Sequence, residues 1–212
     1  MNTQEYINIS KVLRQKHKFQ EAYDYLKIKS QSSDLSDLVW LHNPIFWMDI
    51  KAGKCHLSRR KSEDADFISS LWSDDSFLYR FHRLSRKLPK DNNEVAKLLD
   101  DEYIATLSES NTLHWVIKDH NDNKHGILSL VNISLGNRNA EILIGMKENA
   151  PLGIGISAML LLFHYYFSNM QFNKLTAHIF EDNKLSLESA KHIGFKVDGG
   201  KRPIKSYCLD PA

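Results

Sequence analysis

Cysteine is scarce in this sequence, neither sign of charge is in real excess, and no long apolar run occurs. The 212 residues hold two cysteines, Cys55 and Cys208. Neither lies in a CxxC or in a Cys/His ligand spacing, so a disulfide framework is excluded and no metal is expected. Lys and Arg number 28 against 26 Asp and Glu, a net charge of +2. A partner held by phosphate charge needs a marked basic excess or stripe, so no nucleic acid is expected. No apolar stretch approaches the roughly 20 residues of a membrane span. The longest, residues 158–163, runs into His164. The start, MNTQEYINIS, lacks the charged-then-apolar plan of a signal peptide. These absences lead us to expect a soluble, cytoplasmic protein without a membrane partner.

What is present suits one domain with a short extension. Residues 3–29 read as a helical hairpin: Ile9, Val12 and Leu13, then Phe19, Ala22, Tyr23 and Leu26, recur at three and four, with a break near residues 16–18. A polar linker (30–37) and an aromatic stretch interrupted by Pro44 follow, with Trp40, Phe46 and Trp47. The expected division is a helical, aromatic-rich extension over 1–50 and a main domain over 51–212. About 50 residues fold alone only marginally, so the extension is expected to cover the domain or a dimer contact.

From residue 54 the rhythm changes. CHLSRR reads as a strand, and Ser62 with the acids after it as a helix start, carrying Ala65, Ile68, Leu71 and Trp72 on one face. A short helix around 77–84 and a longer one over 92–107, capped by Asp91, come next. Residues 112–118, 126–133 and 140–146 read as strands joined by Asn/Asp/Gly-rich turns, which favour an antiparallel meander. Residues 153–170 form a helix apolar nearly all round, hence buried. A strand (175–180), a helix (185–192) stopped by Gly194, and two weak strands (195–197, 204–208) close an α+β pattern with one parallel-type crossover. The last strand looks short, leaving an edge that a homodimer would cover.

The segment with chemical content is Glu141 to Ala158. A strand ends, a Pro/Gly loop follows, and a helix opens at Gly153-Ile154-Gly155. Free N–H groups and the helix dipole make such a start an anion site, and glycine lets a phosphate approach. It is not a P-loop, since no Gly-Lys-Ser/Thr follows. It is not a dinucleotide fingerprint either, since an antiparallel meander leads into it.

Three segments in this order resemble the GNAT acyl-CoA-dependent N-acetyltransferases. IGMKENAPLGIGISAMLLLFHYYF is similar to their pyrophosphate loop and long helix. HIFEDNKLSLESAKHIGFKVDG is similar to their next strand, Asn-x-x-Ser helix and closing Gly-Phe. RRKSEDADFISSLW resembles the opening of the RimJ/RimL-like branch. The resemblance covers residues 54–200 and implies a mixed, mostly antiparallel sheet with a splayed central strand pair flanked by helices. It implies acetyl-CoA as co-substrate and a primary amine of a small molecule as acceptor. Main-chain groups of Ile144 and Met146 would pair with pantetheine, and the Met146 N–H would serve as oxyanion donor. N–H groups of Leu152, Gly153, Ile154, Gly155, Ile156 and Ser157 would hold the pyrophosphate, and Asn183 and Ser186 would touch the pantetheine or its phosphates. Glu141 is the expected base, acting directly or through a water, with His114, His164 and His178 as alternatives.

Two departures stand out. Ala150 occupies the place of the family's usual Arg or Gln, and Ala190 that of its Tyr acid. Ser186, Ser189 and Tyr207 are the candidates for the acid. The basic run from Arg80 to Lys87 would clamp an acidic acceptor or form a solvated helix face. The spelling IGxKE, four residues, GIG is similar to enzymes acting on nucleotide-linked amino sugars. A protein N-terminal or lysine acetyltransferase, and a non-catalytic binding module of this fold, stay open as alternatives.

Overall fold

The computed structural model describes residues 3–30, 36–81, 88–89, 91–199 and 204–210. Helices α1 (Thr3–Gln15), α2 (Phe19–Ser30) and α3 (Ser36–Leu41) and a 3-10 turn (Pro44–Trp47) precede strands β1 (Ile50–Ala52) and β2 (Cys55–Arg59). A second 3-10 turn (Ser62–Asp64) leads into α4 (Ala65–Trp72), α5 (Asp75–Phe81), α6 (Asn92–Ile104) and α7 (Leu107–Ser110). Then come β3 (Leu113–Asp119), β4 (Lys124–Ser134), β5 (Asn139–Met146), α8 (Ile154–His164) with a π turn (Tyr165–Asn169), β6 (Lys174–Phe180), α9 (Lys184–His192), β7 (Lys196–Gly199) and β8 (Ile204–Leu209). The strands form one sheet in the order β1-β2-β3-β4-β5-β6-β8-β7. Among the described strands the one parallel pair is β5 with β6, the crossover that the strand–helix–strand pattern implies. Among the described residues no helix is long and apolar enough to cross a membrane.

Alternation along the strands gives the sheet two buried faces. Leu57, Trp115, Ile117, Leu128, Leu130 and Ile142 share a cluster with Ala158 and Leu162 of α8. Val116 and Ile127 join Ile68 and Trp72 of α4 and Val95 and Leu99 of α6 in a second cluster. Asp91 caps α6, its carboxylate accepting from the N–H groups of Asn93 and Glu94. Ser62 does not cap α4. It opens the 3-10 turn, and the buried Asp64 meets Lys124 Nζ at 2.6 Å.

The helix expected over 153–170 changes pitch after His164. The wider π turn sends two consecutive tyrosines inward: Tyr165 donates to the Ile45 carbonyl at 2.7 Å, and Tyr166 to the Lys174 carbonyl at 2.7 Å. The C-terminal edge also differs from expectation. β8 lies between β6 and β7 and pairs with β6 from Leu175 to Phe180. The outer position belongs to β7, all four residues of which are exposed. Gly199 closes β7 with φ of +117°, a backbone that side chains rarely adopt. The last strand thus enters the sheet rather than fraying at its rim.

The described elements of the extension pack against the main domain. Phe46 and Trp47 are buried in the main cluster. Trp47 donates its indole N–H to the Tyr103 carbonyl at 2.6 Å, and Phe19 stacks on Trp47 with ring centres 4.8 Å apart. Trp40, 38% exposed, packs edge-to-face on Phe46 with ring centres 5.1 Å apart and so joins the rim of this contact. The boundary expected after residue 50 falls inside β1, whose Ile50 pairs with Leu57.

Arg14 of α1 donates to the Ile104 carbonyl at 3.0 Å and meets Glu109 at 3.1 Å. It also lies 2.7 Å from the His42 imidazole, which faces Ser10. Burial, aided by the Arg14 cation and opposed by Glu109, pushes His42 down to about 4. The unfolded chain therefore binds the extra proton first. The stabilisation is complete above about pH 6.5 and is lost as pH falls towards 4, on the order of 2–3 kcal/mol. The melting temperature should fall over that range, and His42→Gln should flatten the decline. An equally steep decline in the variant would exclude His42 as its source.

Candidate active site

β5 and β6 pair only from Asn139↔Lys174 to Glu141↔Thr176 and then diverge. The Ala140 carbonyl accepts from Thr176 Oγ1 of β6 at 3.1 Å, so even-numbered residues of β5 turn their main chain towards β6. The Lys147 N–H, of opposite parity, donates to His125 beyond the end of that edge. Main-chain groups of Ile144 and Met146 therefore face the gap, with no strand partner there among the described residues. The gap is a cleft of about 510 Å³, closed below by α8 and flanked by α5 and α9.

Gly153 begins α8 with φ of +84°, a conformation that strains any side chain. The loop uses two of its six expected donors internally. The Ile154 N–H donates to the Pro151 carbonyl, and the Ser157 N–H to that of Gly153. The Gly155 and Ile156 N–H groups have no backbone acceptor among the described residues. Leu152, Gly153, Ile154, Gly155 and Ile156 line the cleft; Ser157 does not, because its hydroxyl turns back onto the Gly153 carbonyl. A Cβ on Gly155 would stand 3.3 Å from Met146 Sδ. The bareness of Gly155 thus lets α8 approach β5, rather than only clearing space for an anion.

Asn183 and Ser186 both line the cleft. Asn183 is also the N-cap of α9, its Oδ1 accepting from the Ser186 N–H at 3.3 Å. Ala150, Ser189 and Ala190 line it too. Tyr207 is fully buried between β6 and β7 and does not.

Glu141 is not a lining residue. Its carboxylate accepts from Asn132 Nδ2 at 2.9 Å and lies 2.9 Å from Nδ1 of His178, which does line the cleft. His114 is turned into the second face, against Ser129 at 2.8 Å, and His164 sits exposed beyond the cleft near Ser168. Asp74, Ser76, Phe77 and Arg80 form the α5 wall; Arg80 opens the basic run singled out in the sequence, whereas no sequence signal points to the other three. Hydrogen bonds from Ser76 and Phe77 hold the Asp74 carboxyl below its usual range. Arg80 bonds back to Ser76, and Tyr79 donates to Asp182 at 3.1 Å, tying α5 to the turn before α9. The rest of the basic run, 82–87, lies outside the described residues. Among those residues no group of His, Cys, Asp and Glu could hold a metal.

Residues 55–196 match the family described as the Acetyltransferase (GNAT) domain. No curated protein matches the chain. Solved structures of similar fold include the spermidine N-acetyltransferase of Vibrio cholerae in complex with CoA and spermine, 17% identical with a TM-score of 0.64 over 74% of this chain and 95% of that one. Another is apo FdhC, a nucleotide-linked sugar GNAT, 16% identical with a TM-score of 0.63 over 77% and 90%. A probable acetyltransferase is 18% identical with a TM-score of 0.64 over 77% and 97%.

Proposed function

The chain belongs to the GNAT acetyltransferase family, and from that premise we propose that it moves an acetyl group from acetyl-CoA to a primary amine of a small molecule. The observation that carries the reading is the splayed β5–β6 cleft, with unpaired strand groups on one side and a helix start on the other. Ile144 and Met146 would hold the pantetheine arm through their main chain. Leu152, Gly153, Gly155 and Ile156 would hold the pyrophosphate, the free first-turn N–H groups being natural anion donors; Ile154 and Ser157, the other two loop donors, are engaged in the turn. Asn183 and Ser186 would touch the same arm from α9. When bound, acetyl-CoA supplies the activated thioester. Met146 N–H is our oxyanion donor, and Glu141 the carboxylate that drives removal of the amine proton, directly or through a relay.

For the acceptor we propose a nucleotide-linked amino sugar, and for lineage the RimJ/RimL-like branch. The first rests on the IGxKE–GIG spelling, with support from the fold shared with FdhC and from Arg80 in the wall. The second rests on RRKSEDADFISSLW. A polyamine acceptor, such as the spermine held in the Vibrio cholerae complex, is the competing class. A non-catalytic CoA-binding module is the second reading, favoured by Ala150 and Ala190 in the cleft wall.

Titration calorimetry with acetyl-CoA, and thiol release with amino sugars, their nucleotide-linked forms and polyamines, separate these readings. Turnover with nucleotide-linked amino sugars is expected; binding without turnover across the panel would favour the module. Gly155→Val should weaken acetyl-CoA binding by about 10-fold or more, since its side chain drives Met146 into the cleft. An unchanged dissociation constant in a folded Gly155→Val protein would sink the cleft assignment.

A further inference from the structure

The sheet register gathers three side chains far apart in sequence. Glu141 of β5 is held between Asn132 of β4 and His178 of β6, each 2.9 Å away. Asn132 sits where the β4–β5 register shifts, between Val131 and Ser134, with φ of +52°. A bulge re-aims a side chain, and Asn is among the few residues other than glycine that tolerate this backbone. Here the re-aimed amide reaches Glu141. The Glu141 side chain is 14% exposed and that of His178 44%. Only His178 lines the cleft. The imidazole thus faces the cleft, and the carboxylate stands behind it.

We infer that His178 takes the proton from the acceptor amine, with Glu141 setting its tautomer and Asn132 positioning Glu141. This rests on the transferase reading above. With Nδ1 protonated towards Glu141, Nε2 keeps its lone pair for the amine. As the C–N bond forms, the N–H proton passes to Nε2 and its electron pair stays on nitrogen. The C–S bond breaks with its pair on sulfur. The carboxylate, at 2.9 Å, offsets the imidazolium charge. His178 then releases its proton to water and the thiolate takes one from water, so the amine hydrogen ends on sulfur.

The tautomer can be read without any substrate. In 15N-histidine-labelled protein near pH 8, with His178 assigned by its loss in His178→Ala, the wild type should show a protonated Nδ1 and a bare Nε2. Glu141→Ala should release that tautomer, because the carboxylate is what holds the proton on Nδ1; the kinetic variants below then separate a catalytic from a structural histidine. A wild-type Nε2–H form, or no response to Glu141→Ala, overturns the inference. If Glu141→Ala does not fold, the wild-type tautomer decides alone.

With whichever panel amine the wild type turns over fastest, His178→Ala should lower kcat by about 100-fold or more. Asn132→Ala should lower it by about 10-fold, in line with a supporting partner. The Glu141→Ala/His178→Ala double variant should lose no more than the worse single one, because the two act as a unit. Additive losses, or a wild-type rate in His178→Ala, overturn the relay. Failure of the wild type to bind acetyl-CoA overturns the transferase reading instead, and leaves the tautomer result to judge the pairing.

Discussion

Glu141→Gln is expected to lower the acetylation rate by about 100-fold or more near neutral pH while leaving fold and acetyl-CoA affinity unchanged. Glutamine keeps the shape and one oxygen able to accept from Asn132, so the bulge of β4 and the register around it have no reason to move. What it removes is the charge facing His178. Without that charge neither a direct transfer nor an imidazolium beside it is stabilised, and the proton released as the C–N bond forms has no ready acceptor. The loss should shrink as pH rises, because hydroxide then takes a growing share of that proton. Rates across pH 6–10, with calorimetry for the cofactor and a melting curve for the fold, check all three statements. A variant that turns over like the wild type at neutral pH would show that Glu141 has no part in the proton's path.

Removing the first 49 residues should leave an aggregated or severely destabilised protein. Phe46 and Trp47 are core residues of the main cluster, and truncating one buried Phe or Trp costs about 3–5 kcal/mol. Two such losses, about 6–10 kcal/mol, rival the whole stability of a typical domain, about 5–15 kcal/mol. The cut also takes the anchors: the Trp47 bond to the Tyr103 carbonyl, the Arg14 bonds to Ile104 and Glu109, and the Ile45 carbonyl that receives the buried Tyr165 hydroxyl. That last loss leaves a buried donor unpaired, which adds about 1–3 kcal/mol. Trp47→Ala isolates the largest part and should melt well below wild type. A soluble chain from residue 50 onward with an unchanged melting temperature would show the extension to be an independent module, and the packing of Phe46 and Trp47 to contribute nothing.

Much of this molecule is local and therefore legible in one dimension. Helix and strand periods in Ala65–Trp72, Asn92–Ile104 and Leu113–Met146 need only the chain's own repeat, and the Asp91 cap needs only its next three residues. The strand–loop–helix at Gly153 is equally local, since it depends on turn chemistry within a dozen residues. The crossover from β5 to β6 follows from handedness and length. Pairing partners are another matter. That β8 enters between β6 and β7, that Trp47 finds Tyr103 56 residues away, and that Asn132, Glu141 and His178 meet at one point are all consequences of register. The period of a strand says which residues share a face but not which strand lies beside it, nor at what offset. Those are set by packing both faces of the sheet at once, and so only the folded chain turns an acid, an amide and an imidazole into one constellation.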